Sequence, residues 1–302
     1  MGTVTAPREV LAGATYLVTR RASQRQFLLK PSRRTNQLVR YCLALAAQQT
    51  GVLLHAFCFM SNHWHGVVTD PFARLPEFLE RFHRLFARAQ NASLGRWENL
   101  WSSDKPSVVR LVNDEDVLDK MAYTIANPTA AGLVRSPAQW PGVISRGVSG
   151  RWTIEMPDRF FNPEGTLPPE VQLHLTRPPI YPQLSPTELA HHLARAVERR
   201  VRDARDALSA RGQKFRGAQA VLQQPFDAAP KSSELKRNPN PRIAAKHTPE
   251  RIHALRDLLA FLRRYRDAWQ AWRSGKRDVV FPAGTYALRV HARVACAPAC
   301  PM

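Results

Sequence analysis

The sequence has few acidic residues, no long apolar run and few cysteines. Its 302 residues include 24 Asp or Glu against 44 Lys or Arg, which gives a formal net charge of +20. A surface this one-sided repels itself and suits a polyanionic partner, with nucleic acid ahead of an anionic membrane. The best apolar stretch, 52–60, is interrupted by His55 and is shorter than the roughly 18 residues that a membrane span needs. The first ten residues lack the apolar region of a secretory signal, so we expect a cytoplasmic, nucleoid-associated protein without a membrane partner.

Four cysteines do not make a disulfide framework. Cys42 lies in a helical pattern and Cys58 in a strand pattern, so both are expected to be small buried residues with reduced thiols. Cys296 and Cys300 form a C-x3-C pair near the C-terminus. A structural zinc site needs four ligands, so this pair is weak evidence for zinc.

The first half of the chain alternates between strand and helix patterns. Ser61-Asn62 is a plausible turn between two strands, which predicts an antiparallel hairpin. The order of the elements predicts an α+β, ferredoxin-like split βαβ fold, with a four-stranded antiparallel sheet and helices on one side. The predicted strands are 13–21, 52–60, 63–70 and 107–112, and the predicted helices are 33–49, 75–92 and 114–126.

The composition changes after about residue 150, which divides the chain into a first domain over 1–150, a proline-rich connector over 151–186 and a basic, mainly helical region over 187–302. Residues 171–277 hold 22 Lys or Arg and 9 Asp or Glu, a surplus of 13 of the 20 net positive charges. Within this half we predict helices over 187–210 and 248–272, a linker over 225–241 and a strand over 284–290.

His63-Trp64-His65 is the most informative tripeptide. Residues i and i+2 of a strand point to the same face, so both imidazoles project together while Trp64 points to the other side. Two adjacent imidazoles on a sheet are half of a divalent metal site. The pattern alone leaves open that either histidine is only hydrogen-bonded, and it also suits cupins and several metal hydrolases.

Tyr123 and Asn127 are the second part of the candidate site. They are four residues apart and therefore share one face of the predicted helix. The amide oxygen of Asn127 can complete a metal site, with the phenol of Tyr123 beside it. A phenol becomes a useful nucleophile where a metal polarises the target phosphate. Taken alone, the tyrosine could equally be a packing residue, and Asn-Pro commonly marks a helix end.

Two segments together resemble a known family. S-N-H-W-H-G-V-V at 61–68 and Y-T-I-A-N-P-T-A-A-G-L-V at 123–134 are similar to the REP-associated tyrosine transposases. These belong to the single-tyrosine HUH superfamily together with the insertion-sequence-200-like transposases, where U is a hydrophobic residue, here Trp64. The resemblance covers residues 13–150, about half of the chain, and the long basic extension beyond it departs from the family.

The resemblance implies a ferredoxin-like catalytic domain in which His63 and His65 bind Mg²⁺ or Mn²⁺. Asn127 falls where the family has its third polar ligand, a position at which relatives in the broader superfamily have Gln. Tyr123 would attack a phosphodiester of single-stranded, hairpin-containing DNA and form a 5′-phosphotyrosine link and a free 3′-hydroxyl, which can later reverse the reaction. The protein is expected to act as a monomer or a homodimer.

Basic residues on and after the first strand are candidate DNA contacts. An open sheet face or edge can meet a phosphate backbone there. The predicted DNA-binding residues are Arg20, Arg21, Arg25, Arg33 and Arg34.

Two other functions fit parts of the sequence. A non-catalytic DNA-binding protein that retains the transposase fold would keep the charge, but it would not need His63, His65 and Tyr123 together. A metal hydrolase acting on a small substrate would need a third acidic or histidine ligand at a spacing such as H-E-x-x-H, and the sequence has no such motif. A metal-dependent transposase or single-strand endonuclease is therefore the leading hypothesis.

Overall fold

The computed structural model describes residues 7–158, 160, 165–231 and 241–298. Its first half contains β1 (Ala14–Arg21), α1 (Arg33–Thr50), β2 (Leu53–Phe59), β3 (His63–Asp70), α2 (Leu75–Leu94), β4 (Ser107–Leu111) and α3 (Asp114–Ala130). Its second half contains β5 (Gly150–Glu155), β6 (Glu170–Leu175), α4 (Pro186–Ala210), α5 (Ala218–Leu222), β7 (Ile243–Ala244), α6 (Thr248–Arg273) and α7 (Ala287–His291).

Local sequence signals account for where the long helices begin and end. The hydroxyl of Ser32 accepts a hydrogen bond from the Thr35 amide and caps α1, and Gly51 ends this helix in the left-handed conformation. The side chains of Asn113 and Asp116 form a reciprocal capping box at the start of α3. These caps satisfy amide groups that the first turn of a helix leaves without an intrahelical partner.

The main sheet confirms the predicted α+β fold. Its strand order is β2-β3-β1-β4-β7, and the first four strands are antiparallel to their neighbours. Sequence reasoning did not include β7, a two-residue strand that pairs in parallel with β4. The β2–β3 hairpin closes around Ser61-Asn62 as predicted.

Helices lie on both faces of the sheet, which corrects the expectation of helices on one side only. Trp64 and Val68 of β3 belong to the core that the sheet shares with α1 and α2. Val67 points to the other face, where it packs with Met121 and Ile125 of α3. Helix α4 packs in turn on α3. Strand β3 is therefore buried on both faces, with apolar partners on each side. Helix α3 covers the face that carries the histidines.

Trp64 anchors the centre of β3 from the face opposite the histidines. Its side chain is fully buried, stacks on Phe59 with ring centroids 5.3 Å apart, and donates a hydrogen bond from Nε1 to Nε2 of His83. The indole folds over Gly66, where an added Cβ would lie 2.5 Å from a ring carbon. Glycine is therefore needed two residues after the tryptophan because any side chain there would displace the ring.

The proline-rich stretch is more ordered than the sequence indicated. Strands β5 and β6 form an antiparallel hairpin, and its apolar residues Val171, Leu173 and Leu175 pack into the core against α1. The strand predicted over 284–290 is wrong, since this segment contains the start of the short helix α7. Most of the predicted linker, 232–240, lies outside the described residues. Within the described ranges, no helix is long and apolar enough to cross a membrane.

Candidate active site

The two histidines of β3 project together from the face that α3 covers. The ring centroids of His63 and His65 are 4.8 Å apart. The Nδ1 atom of His63 donates to the amide oxygen of Asn62 at 2.7 Å, and the Nδ1 atom of His65 lies 2.8 Å from the hydroxyl of Thr19 on β1. Hydrogen bonds at Nδ1 orient each ring and make Nε2 the atom suited to bind a metal ion.

Burial favours the neutral form of His65. Its side chain is 6% exposed, and desolvation, together with the nearby His63 and Arg21, holds the pKa of this imidazole well below 6.5. A metal ligand must be unprotonated, so the site presents this imidazole in the form that binds a cation.

Tyr123 of α3 lies directly beside the histidine pair. Its ring centroid is 5.3 Å from that of His65, with the two rings edge to face. The strand carries the histidines on one face, and the helix that packs on this face presents the phenol to them. The fold thus brings together three side chains from two segments that are separated by about 60 residues in the sequence.

Helix α4 supplies a cation to the same site. The guanidinium of Arg200 forms an ion pair with Asp119 on α3, and its central carbon lies 5.8 Å from the centroid of the Tyr123 ring. Tyr123, Arg200 and Arg211 line a cavity of about 440 Å³ between α3 and α4. The cavity has one aspartate, Asp203, among its lining residues, so its charge suits an anionic group beside the phenol.

The donor set of the site is that of half a metal centre. Both imidazoles are oriented by a hydrogen bond at Nδ1, and burial favours the neutral form of His65, which is what a metal ligand would need. Within the described residues, no group of three or more His, Cys, Asp or Glu is placed to hold a metal ion. Among the described residues, a further ligand would therefore be an amide or a hydroxyl, and water or substrate could supply the rest. Asn127 lies one turn after Tyr123 on α3 and is 8% exposed, and its assignment as the third ligand stays a prediction.

The predicted DNA-binding arginines are not one group. Arg21 is paired in register with His63, on the face of the candidate site, whereas Arg20 is paired with Trp64 and lies on the other face. Arg25 follows β1 in a short 3-10 turn, and its carbonyl accepts a hydrogen bond from the side chain of Asn62. Arg33 and Arg34 form the first turn of α1, where Arg34 donates to the carbonyl of Asp158.

Arg20 lines a second groove that sequence reasoning did not identify. The groove has a volume of about 410 Å³ and is also lined by Arg84, Arg88 and Trp97. The guanidinium of Arg20 lies 5.6 Å from the ring centroid of Trp101, and burial lowers the pKa of this guanidinium. Trp97 is 92% exposed. An exposed indole between arginines suits the stacking of an unpaired base.

Cys58 lies on β2 directly opposite His65 of β3, whereas Cys42 lies on α1. Cys42 and Cys58 are buried with free thiols, as the sequence predicted, and burial raises the pKa of both. Cys296 is a half-buried free thiol, and Cys300 lies outside the described residues, so the C-x3-C pair is not described as a pair.

Comparison with known proteins finds partial similarity to solved structures. No family model matches the chain, and no curated protein matches it. A structure of a REP-associated tyrosine transposase bound to a REP hairpin is 20% identical, with a TM-score of 0.36, and covers 47% of this chain and 81% of that chain. A structure of a candidate transposase from Deinococcus radiodurans R1 is 19% identical, with a TM-score of 0.27, and covers 36% of this chain and 85% of that chain.

Proposed function

We propose that this chain is a metal-dependent transposase or endonuclease that cleaves and rejoins single-stranded, hairpin-containing DNA through a 5′-phosphotyrosine intermediate. The observation that carries the proposal is that the ring of Tyr123 lies against His65 across the β3–α3 contact, and the ring of His65 lies against His63. Each residue alone has an ordinary structural explanation, but two oriented imidazoles and a phenol in one place make a coherent site for phosphoryl transfer.

The reaction would proceed at the phenol oxygen of Tyr123. This oxygen loses its proton and bonds to phosphorus, while the bond from phosphorus to the 3′ oxygen of the preceding nucleotide breaks. The products are a 5′-phosphotyrosine and a 3′-hydroxyl, and attack by a 3′-hydroxyl reverses the step. Arg200 and Arg211 line the cavity beside the phenol, where guanidinium groups can bind phosphoryl oxygens.

His63 and His65 would hold the metal, with Asn127 as the proposed third ligand. When bound there, Mg²⁺ or Mn²⁺ would polarise the phosphodiester and offset charge on its oxygens. Thr19 and Asn62 would act through the imidazoles, because their hydrogen bonds fix the orientation of the rings.

The test is covalent capture of labelled DNA. Wild-type protein incubated with labelled hairpin DNA and Mn²⁺ or Mg²⁺ should form a protein–DNA band that survives denaturant. Tyr123→Phe should remove this band because it lacks the attacking oxygen, and a chelator should prevent the band in wild type. Tyr41→Phe is the matched control, since it removes a phenol oxygen on α1 that lines neither the cavity beside Tyr123 nor the one beside α6, and it should leave the band unchanged.

The two ways to fail have different meanings. An undiminished band with Tyr123→Phe would show that another residue is the nucleophile. Salt-dependent DNA binding with no cleavage in either metal would instead favour a non-catalytic DNA-binding protein that keeps the fold.

A further inference from the structure

A third cavity, separate from the one beside Tyr123 and from the groove lined by Arg20, lies between the N-terminal segment, the edge of the main sheet and α6. It has a volume of about 790 Å³, which is in the range of small-ligand sites. None of its lining residues lines the cavity beside Tyr123. Its apolar wall includes Val10, Val108 and Leu258, and Tyr265 and Trp269 of α6 add aromatic surface.

Most of the charged residues that line this cavity are cationic. A single carboxylate, Glu9, is among the lining residues, and its Oε2 atom lies 3.7 Å from the guanidinium of Arg110, with both side chains about 15% exposed. The cationic lining residues are Arg8, Lys105, Arg110, Arg242 and Arg266.

Two of these arginines are held close together although they repel. Arg8 donates to the carbonyl of Pro106 at 2.9 Å, and Arg242 donates to the carbonyl of Pro7 at 3.0 Å. Burial and the nearby charge of Arg242 lower the pKa of Arg8. Backbone hydrogen bonds thus fix the two guanidinium groups in place without neutralising their charge. An anion in the cavity would relieve this repulsion, and planar guanidinium groups match the geometry of phosphate oxygens.

We propose that this cavity binds a phosphorylated nucleoside, with the phosphate among the arginines and the base against Tyr265 and Trp269. A base has a flat face that stacks on aromatic side chains, and the apolar wall covers the rest of the ligand. The ligand is either a free mononucleotide or the terminal nucleotide of a DNA strand, which present the same chemistry. This binding site does not depend on the chemistry of Tyr123.

The test is calorimetric titration of the full chain with thymidine 5′-monophosphate, thymidine and inorganic phosphate. The monophosphate should bind about tenfold or more tightly than either part, because only the whole ligand reaches both the arginines and the aromatic wall. Lys105→Glu combined with Arg266→Glu should weaken this binding at least about tenfold. Both side chains are exposed, so the double variant should fold.

The matched control is Arg263→Glu combined with Lys276→Glu. Both residues are exposed and lie outside the cavity lining, and this double variant has the same net charge as the test variant. Monophosphate binding should stay within about twofold of wild type. The absence of monophosphate binding, or an equal loss in the two double variants, would overturn the proposal.

Single-stranded oligonucleotides distinguish the two sources of the ligand. If the cavity takes a strand terminus, a 5′-phosphorylated oligonucleotide should bind more tightly than its 5′-hydroxyl form, and the test variant should lose that difference. If it takes a free nucleotide, the monophosphate should bind while the two oligonucleotides do not differ. Tyr123→Phe should leave monophosphate binding unchanged, so failure of the proposed reaction and failure of this site give separate results.

Discussion

The stability of the protein should fall on mild acidification because of a histidine that belongs to no metal site. His55 on β2 is fully buried, its Nδ1 atom lies 2.8 Å from the carbonyl of Thr176, and its Nε2 atom lies 2.7 Å from the hydroxyl of Thr69. A carbonyl only accepts, so Nδ1 carries the proton and Nε2 accepts from Thr69. The hydroxyl of Thr15, 2.7 Å from that of Thr69, can then donate to Thr69. This chain of hydrogen bonds requires a neutral imidazole.

The expected magnitude follows from the pKa of this group. Desolvation lowers the pKa of His55 from 6.5 to about 4. Between these values the unfolded chain takes up a proton that the folded protein does not, so the free energy of unfolding rises with pH. The stabilising contribution is full above about pH 6.5 and is lost as the pH falls towards 4. The difference between the two pKa values corresponds to about 3 kcal/mol.

The measurement is urea unfolding of wild type and His55→Gln between pH 4 and pH 7. Glutamine does not titrate, and it has a donor for the carbonyl of Thr176. The gap in unfolding free energy between the two proteins should therefore shrink by about 3 kcal/mol from pH 7 to pH 4. Other buried histidines contribute equally to both curves. His174→Gln changes an exposed histidine on β6 and should run parallel to wild type. Parallel curves for His55→Gln would refute the reasoning.

Two further predictions concern Arg200 beside the candidate site and Trp97 in the groove on the opposite face of the sheet. Arg200→Ala should lower the free energy of unfolding by about 1 kcal/mol, since the ion pair with Asp119 and the contact with the Tyr123 ring are both partly exposed. A double-mutant cycle with Asp119→Asn in urea measures the coupling, and additive effects would show that the pair does not hold α4 on α3. Trp97→Ala should weaken binding of single-stranded DNA about tenfold, because stacking a base on an aromatic ring contributes about 1–3 kcal/mol. Trp152→Ala, on β5 and 43% exposed, should have little effect in the same fluorescence titration, and equal losses would exclude a specific stacking site at Trp97.

The elements from β1 to α3 could be predicted because the side chains of each follow the periodicity of a strand or a helix. Alternation places His63 and His65 on one face of β3, and helical spacing marks the apolar stripe of α2. Helix ends were less predictable. α3 continues to Ala130, beyond the predicted end at 126, with Pro128 in its last turns. Pro128 has no amide proton to donate to the carbonyl of Thr124, yet the helix runs two residues past it, so the proline does not mark the helix end.

The face of the sheet on which each helix packs could not be predicted from the hydrophobic pattern of that helix. An amphipathic helix reveals which of its faces is buried, but not which face of the sheet it covers. The sequence does hold a hint for the second layer, because Val67 and Val68 are adjacent and apolar, which is typical of a strand buried on both faces. The β5–β6 hairpin and α7 were also missed from the sequence. These elements are only five or six residues long, so their local pattern is weak and tertiary packing decides their structure.

Part of the basic extension packs against the candidate site. Leu189 and Leu193 of α4 share a core with Met121 and Ile125 of α3, so this helix is joined to the site by apolar contacts as well as by charge. The cavity beside the phenol of Tyr123 exists because α4 forms its second wall. A local motif search would assign the site to the first half of the chain alone. The structure shows instead that the cationic groups facing the phenol come from the second half, which is where the sequence concentrates its positive charge. If the proposed function holds, Arg200 and Arg211 would bind phosphate of the DNA strand beside Tyr123, because a guanidinium group matches phosphate geometry.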